Sequence, residues 1–335
     1  MKIAVLGSGS WGTAIAMQLC RAGHDVFLWN RSQDRVQEMI EANCNVRYLP
    51  EFPFPSNIYP TSSLEQAIQG AGLVVFVVPS QIMRQVVGDA RPFLSPEIPI
   101  CCASKGIEDG TLMTMEEVLR DVLPVYFHAQ LTFLAGPSFA KEVAEGRPTT
   151  IVIASRFSDV ADRVSQSFHS GMFRVYYTDD IVGAELGGAL KNVIAIACGV
   201  VDGCQLGLNA QAGLMTRGLA EITRLAVKMG ANPLTLSGLA GMGDLVLTCT
   251  GSLSRNRRVG LSLGVGKKLP DILEELGQVA EGVYTAKSAF ELAQKNQVEM
   301  PIVEQIYYLL YKDKSAQMAI KDLFSRERRP ERDMK

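Results

Sequence analysis

The first sixteen residues constrain this chain more than any other stretch. "KIAVL" at 2–6 is a short apolar run, and "GSGSWGTAIA" follows it at 7–16. Gly7, Gly9 and Gly12 therefore fall in a G-x-G-x-x-G pattern between a strand and the start of a helix. In that setting Gly7 permits the tight turn, Gly9 lets backbone approach a pyrophosphate, and Gly12 lets helix and strand pack closely. The helix N-terminus then faces the phosphates. A glycine-rich turn without a ligand has the same spacing, but the strand–loop–helix setting favours a dinucleotide. Ser10 and Trp11, at the tip of the turn, are expected to touch it.

The rest of the first half alternates two periods. Strand-like runs lie at 2–6, 25–29, 73–78, 98–103, 131–135, 149–154 and 173–177, with helical spacing between most of them, as at 12–22 and 158–170. Continuous apolar strands alternating with helices imply an α/β fold, a doubly wound, mostly parallel sheet covered on both faces. Beyond about residue 180 the strand runs stop. Leu214, Leu219, Ile222, Leu225 and Met229 form a helical stripe over 209–229, with Asn209 placed as N-cap and Gly230 as stop. Further helices are expected at 270–276, 285–296, 301–311 and 315–324, with Pro301 in a first turn and Ser315 as N-cap. The tail at 325–335, "SRERRPERDMK", is polar and expected to fray. The order is α/β, then all-α, and 335 residues suit two domains: 1–180 for the dinucleotide and a helical 181–335 for the substrate.

With 33 basic and 35 acidic side chains the net charge is −2, which argues against a nucleic-acid surface. The seven cysteines are odd in number and show no zinc-type spacing, so they read as reduced thiols and no metal is expected. The opening residues lack the apolar region of a signal peptide, and the apolar runs 73–78 and 193–198 are too short to span a bilayer. A cytoplasmic protein without integral membrane association is the expectation.

An NAD-selective site would carry Asp or Glu near the end of the second strand. This chain has Asn30 and Arg31 there. A guanidinium suits a 2′-phosphate, so NADP(H) is expected with NAD(H) tolerated, although a solvated arginine would look the same. Ligands in open parallel sheets collect beyond the carboxyl ends of strands. Lys105 follows one such end, and Gly136, Pro137 and Ser138 follow another; Pro79 and Ser80 border a third. Ser138 also reads as a helix N-cap, and Lys105 as an ordinary loop lysine.

In the second half, Gly238, Gly241 and Gly243 precede Asp244, and "SRNRR" at 254–258 follows. Ser254, Arg255 and Asn256 suit a small phosphorylated ligand, since Arg clamps phosphate oxygens and Asn and Ser add neutral donors. Arg257 and Arg258 read equally well as solvated. "GGALKNVIAIACGVVDG" at 187–203 sets Lys191 at the head of an apolar helix. Its helical neighbours Gly187, Gly188, Ala195 and Cys198 are small, which suggests space above the ammonium for a three-carbon substrate.

Reduction of a ketone leaves negative charge on oxygen and needs a proton donor. None of the three histidines, His24, His128 and His169, is convincingly placed, so Lys191 becomes the candidate. A free lysine titrates near 10.4, too high for reversible transfer at neutrality. Burial and a second cation such as Lys105 would lower it, and Asp244 would oppose them.

These blocks together resemble the bacterial NAD(P)-dependent glycerol-3-phosphate dehydrogenase family. The likeness runs through "GSGSWGTA", "ASKGIE", "AGPSFAKE", "GGALKNVIAI", "NAQAGLMTRGLAE", "GMGDLVLTCT", "SRNRRVG" and "VAEGVYTAK", in that order over nearly the whole chain. It implies a Rossmann domain followed by a helical domain, with the active site in the cleft between them. The implied reaction is reversible reduction of dihydroxyacetone phosphate to sn-glycerol 3-phosphate for phospholipid synthesis, carried out by a homodimer. By the same likeness Lys191 is the proton acceptor or donor. Lys105, Gly136, Ser138, Lys191, Asp244, Ser254, Arg255 and Asn256 surround the substrate. Ser10, Trp11, Arg31, Lys105, Ala140, Arg255, Val279 and Glu281 contact the cofactor. Two rivals remain: another reductase on the same plan, of β-hydroxyacid dehydrogenase or ketopantoate reductase type, and a nucleotide-sensing regulator without catalysis.

Overall fold

The computed structural model describes residues 1–328 together with Pro330 and Glu331. Residues 329 and 332–335 of the expected frayed tail, which also close the expected 181–335 domain, lie outside the described residues. The chain divides into two compact units, Met1–Lys105 with Met113–Ala184, and Gly106–Leu112 with Glu185–Lys335.

The first unit alternates strands and helices: β1 (Lys2–Leu6), α1 (Ser10–Arg21), β2 (Asp25–Trp29), α2 (Gln33–Ala42), β3 (Cys44–Asn45), β4 (Leu49–Pro53), β5 (Ile58–Thr61), α3 (Leu64–Ile68), β6 (Leu73–Phe76), α4 (Met83–Ala90), β7 (Ile100–Cys102), α5 (Met115–Val122), β8 (Leu131–Ala135), α6 (Ala140–Ala144), β9 (Thr149–Ala154), α7 (Ser158–Phe168) and β10 (Phe173–Thr178). Eight strands form one sheet in the order β10-β9-β8-β7-β6-β1-β2-β5. All neighbours are parallel except β8 and β9, which run antiparallel with Phe133 opposite Ala154. The sheet is therefore the expected mostly parallel, Rossmann-type one. Ile3, Val5, Leu28, Val75, Cys101 and Ile153 are almost fully buried. Strands buried on both faces read as unbroken apolar runs, which is why β1, β6 and β8 were legible.

Strand order reverses at β1, which pairs with β2 on one side and β6 on the other. The crevice beyond the carboxyl ends at such a switch point is where ligands bind. The glycine loop sits there. Three strands are not expected from the sequence: β5, which pairs with β2 at the sheet edge, and β3 and β4, which form a separate hairpin. The hairpin's proline-bearing "LPEFP" and two-residue partner carry too little alternation to signal a strand.

The second unit is helical: α8 (Ile181–Gly203), which begins in the first unit, α9 (Leu208–Lys228), α10 (Pro233–Ser237), a π-helical turn at Leu239–Gly243, α11 (Asp244–Thr250), α12 (Arg255–Gly264), α13 (Leu269–Leu276), α14 (Glu281–Asn296), α15 (Pro301–Tyr311) and α16 (Ala316–Phe324). Pro301 opens α15 and Ser315 caps α16, as expected. Asn209 does not cap α9: the helix starts one residue earlier, with Gly207 at φ +85° in the cap position.

Helix α8 also outruns the apolar stretch read from the sequence. Its 23 residues are long and apolar enough to cross a membrane by length and composition, and 89% of its most apolar window is buried within the protein. The glycines that shorten the run on paper are packing sites. A Cβ on Gly199 would lie 2.0 Å from the Arg257 carbonyl oxygen, and one on Gly260 would lie 1.9 Å from that of Ile196. Backbone touches backbone where α8 meets α12, and only glycine allows it.

Candidate active site

In the first unit, Gly7 has φ +122°, and a Cβ there would lie 2.5 Å from the Val77 carbonyl oxygen. A Cβ on Gly12 would lie 1.8 Å from the carbonyl oxygen of Gly7 itself. Gly9 differs: a Cβ there would meet nothing within 4 Å. It sits at the N-cap of α1, and no side chain caps that helix. Uncapped N–H groups beside open space at a switch point fit a pyrophosphate. These features fit a dinucleotide cofactor.

The loop is braced from several sides. Trp11 Nε1 donates to the Ala103 carbonyl at 3.1 Å, which ties the tip of the turn to the end of β7. Asn30 Nδ2 donates to Ser8 Oγ at 2.6 Å, and its Oδ1 accepts from the Ser32 amide at 2.8 Å. The amide that stands where an NAD-selective acid would stand is thus a strut of the loop. Arg31, next in the chain, is exposed. Ala140 opens α6 and packs against the core of the unit.

Lys105, Gly136 and Ser138 come together on one acceptor. Lys105 Nζ and Ser138 Oγ each donate to the Gly136 carbonyl at 3.1 Å. Gly136 has φ +112°, which turns that carbonyl away from the ordinary strand direction. Ser138 does not cap a helix; Phe139 holds the cap position of α6 and the hydroxyl points back to Gly136.

In the second unit, Lys191 is 6% exposed and Asp244 1%. Their side chains form a buried ion pair, and Lys191 Nζ also donates to Thr248 Oγ1 at 2.8 Å. Thr248 passes its own hydroxyl proton to the Asp244 carbonyl at 2.7 Å, one helical turn back. The π-helical turn before α11 delivers Asp244 to this point. A Cβ on Gly241 in that turn would sit 2.1 Å from the Leu236 carbonyl oxygen, so the wide turn depends on glycine. Behind the pair, the Cys249 thiol lies against Cys198, and that hydrogen bond with burial pushes its pKa up; both thiols are free.

Of the small residues around Lys191, Gly187 serves as a packing site. A Cβ on Gly187 would lie 2.6 Å from the Ala240 carbonyl oxygen. That glycine admits backbone of the π-helical turn, and the space beside it is already filled.

The first turn of α12 gathers the remaining residues. Ser254 is its N-cap and accepts from the Arg257 amide at 3.2 Å. Arg255 donates to the Val279 carbonyl at 2.9 Å, near Glu281 at the start of α14. Asn256 is 8% exposed; it donates to Asn192 Oδ1 at 2.9 Å and accepts from the Gly282 amide at 3.0 Å. It therefore links α8, α12 and α14. Arg257 pairs with Asp202 at 2.7 Å, a contact within the helical framework.

Two family models together cover most of the chain. The one described as NAD-dependent glycerol-3-phosphate dehydrogenase N-terminus matches residues 2–161, and its C-terminus counterpart matches 180–321. The chain belongs to the NAD-dependent glycerol-3-phosphate dehydrogenase family. It is 51% identical over 331 residues to the glycerol-3-phosphate dehydrogenase (NAD(P)+) of Anaeromyxobacter dehalogenans, covering 99% of this chain and 100% of that one. The crystal structure of the glycerol-3-phosphate dehydrogenase from Coxiella burnetii matches with a TM-score of 0.93 at 40% identity, over 97% of this chain and 99% of that one. A 2-dehydropantoate 2-reductase from Geobacter metallireducens has a TM-score of 0.61 at 16% identity, over 94% of this chain and 100% of that one; this shows a shared fold alone.

For this glycerol-3-phosphate dehydrogenase family member, sequence reasoning missed three polar residues that the structure makes central. They are Thr248 beside Lys191, Asn192 beside Asn256, and Asn45, whose Nδ2 donates to the Ser8 carbonyl and to Thr13 Oγ1, each at 2.8 Å. Asn192 adjoins Lys191, and Thr248 lies one helical turn after Asp244, so helical spacing could have found both. No local pattern marks Asn45, because its partners are more than thirty positions away.

Proposed function

We propose that this NAD(P)-dependent glycerol-3-phosphate dehydrogenase reduces dihydroxyacetone phosphate to sn-glycerol 3-phosphate, with Lys191 as proton donor. The observation that carries the assignment of Lys191 is its burial on Asp244 and Thr248. Donation to both Asp244 and Thr248 fixes the orientation of the ammonium. A buried lysine held this way has a chemical rationale that a solvated one lacks.

The reduced nicotinamide, when bound, supplies hydride to the C2 carbonyl carbon. The proton that completes the alcohol passes from Lys191 Nζ to the carbonyl oxygen, and the N–H electron pair stays on nitrogen. Asp244 and Thr248 hold the ammonium in one orientation before transfer. Arg255, with Ser254 and Asn256 in the same turn, is assigned to the substrate phosphate, as is Lys105 with Gly136 and Ser138 to the neighbourhood of the reacting carbonyl. Gly7, Gly9, Ser10, Trp11 and Gly12 are assigned to the pyrophosphate. Arg31 favours NADP(H), and Ala140, Val279 and Glu281 complete the cofactor contacts.

In this reading 1–180 is the dinucleotide domain and 181–335 the substrate and dimerisation domain of a cytoplasmic homodimer that supplies phospholipid synthesis. All seven cysteines are free thiols, which suits a reducing compartment. The test is the loss of NADPH absorbance with dihydroxyacetone phosphate, against ketopantoate and other 2-ketoacids. Turnover with the phosphorylated triose alone is expected. Turnover with a ketoacid alone would overturn the assignment.

A further inference from the structure

Ser8 is the point on which two separate segments of the first unit are clamped. Asn30, at the end of β2, donates to its hydroxyl, and Asn45, in β3, donates to its carbonyl. Ser8 and Asn45 are each 4% exposed, so the Asn45 bond is desolvated, while the Asn30 bond is half-buried; together they hold both segments against the glycine loop. Each segment then projects an arginine. Arg31 follows Asn30 directly and is exposed. Arg47 lies two residues past Asn45, exposed at the centre of the turn 46–48 that joins β3 to β4. Its guanidinium stands 5.8 Å from the centroid of the Tyr48 ring. Leu49, buried at the start of β4, anchors the other side of the turn. The nearest acid along the chain from Arg31 is Asp34, in the first turn of α2.

We propose that Arg47 is a second cation of the dinucleotide site, which acts with Arg31 to select the 2′-phosphorylated ribose of NADP(H) over the free hydroxyl of NAD(H). This rests on the reading that the glycine loop holds the dinucleotide and that Arg31 faces its adenosine ribose. A phosphate monoester carries between one and a half and two negative charges at neutral pH, more than one guanidinium balances. Two guanidinium groups on segments fixed to the same loop residue can each offer a paired N–H donor set. A free 2′-hydroxyl has no charge to attract either of them. The proposal therefore assigns Arg47 to discrimination and leaves pyrophosphate binding to the loop.

The experiment measures binding to the full-length protein by calorimetry, with adenosine 2′,5′-bisphosphate and 5′-AMP as probes beside NADPH and NADH. The variants are Arg47→Gln, Arg31→Gln and the double variant. Because Arg47 is exposed, its variant should melt with the wild type. Arg47→Gln is expected to weaken the bisphosphate and NADPH about tenfold and to leave 5′-AMP and NADH within about twofold, the size of a lost charge-assisted contact. Unchanged bisphosphate affinity in Arg47→Gln, with a loss in Arg31→Gln, would overturn the role of Arg47 and leave that of Arg31 standing. Equal weakening of bisphosphate and 5′-AMP would also overturn it, by making Arg47 a support of the loop. If the wild type binds both probes equally, the underlying assignment of Arg31 fails as well.

Discussion

Thr248 accepts a hydrogen bond from Lys191 Nζ and gives its own proton to the backbone of Asp244, the residue whose carboxylate holds the same ammonium. The hydroxyl can therefore present only a lone pair to the lysine. This makes the cluster a fixed acceptor pair around one cation, in a place where an unpaired charge is costly.

Removing either charge alone is expected to destabilise the fold, by about 3–5 kcal/mol for Asp244→Asn, because Lys191 would stay buried without its carboxylate. The double variant Lys191→Met with Asp244→Asn should recover most of that loss while remaining inactive. Urea denaturation and turnover assays separate the two effects. If the stable double variant kept wild-type turnover, proton donation would have to be assigned elsewhere. NADPH affinity is expected to be near normal in Lys191→Ala.

The glycine loop makes opposite predictions for two glycines three residues apart. Gly9→Ala puts a methyl into open space, and the unfolded-chain gain is opposed by the poorer N-cap, so the fold should change by less than about 1 kcal/mol. The same methyl would stand where the pyrophosphate approaches, and NADPH affinity should fall at least about tenfold. Gly12→Ala drives a methyl into the Gly7 carbonyl and should lower the melting temperature before any ligand is added. A Gly9→Ala protein that binds NADPH normally would place the phosphates away from this loop.

The parts of the molecule legible in the sequence are those set by local period and local turn chemistry. β1, β8 and β9 were read to the residue, and so was α15, because buried strands and proline-opened helices announce themselves. What stayed hidden depends on long-range contact. Asn45 looks like any turn residue until the hairpin brings it to Ser8 and Thr13. Gly187 reads as empty space beside Lys191, whereas it is the contact point for the Ala240 carbonyl. Ser138 has the composition of a helix cap, yet its hydroxyl turns to Gly136, because the chain enters α6 one residue later.

Gly199 and Gly260 meet across the contact of α8 with α12, and the second pair, Gly203 and Gly264, repeats it one turn along. Gly260→Ala would set a methyl 1.9 Å from the Ile196 carbonyl oxygen, where backbone of two helices must separate to make room. A loss of about 3 kcal/mol is expected. Since α12 carries Arg255 and Asn256, the KM for the triose phosphate should rise as well. Thermal denaturation and steady-state kinetics check this, and an unchanged melting temperature would show that the helices do not depend on the close approach.

Glu221 lies on α9, 2% exposed, and its two oxygens accept the amides of Ile302 at 2.9 and 3.1 Å and of Val303 at 3.3 Å. It caps α15 from another helix, where the local cap residue, Met300, supplies no side-chain bond. Burial pushes its carboxyl up to about 7, against the pull of those two amides and of Arg224 and Arg326. The folded protein therefore holds this proton more tightly than the unfolded chain, whose carboxyl titrates near 4.5. Its contribution is complete below that lower value and is lost as pH rises through about 7, after which stability no longer changes on its account. The drop should be roughly 3 kcal/mol. Glu221→Gln keeps a carbonyl acceptor for the amides and carries no charge, so its stability should be flat across the same range. Urea unfolding at pH 5 and pH 8 of both proteins gives the comparison. Parallel behaviour of the two would mean that Glu221 is already ionised at pH 5 and caps α15 as a carboxylate.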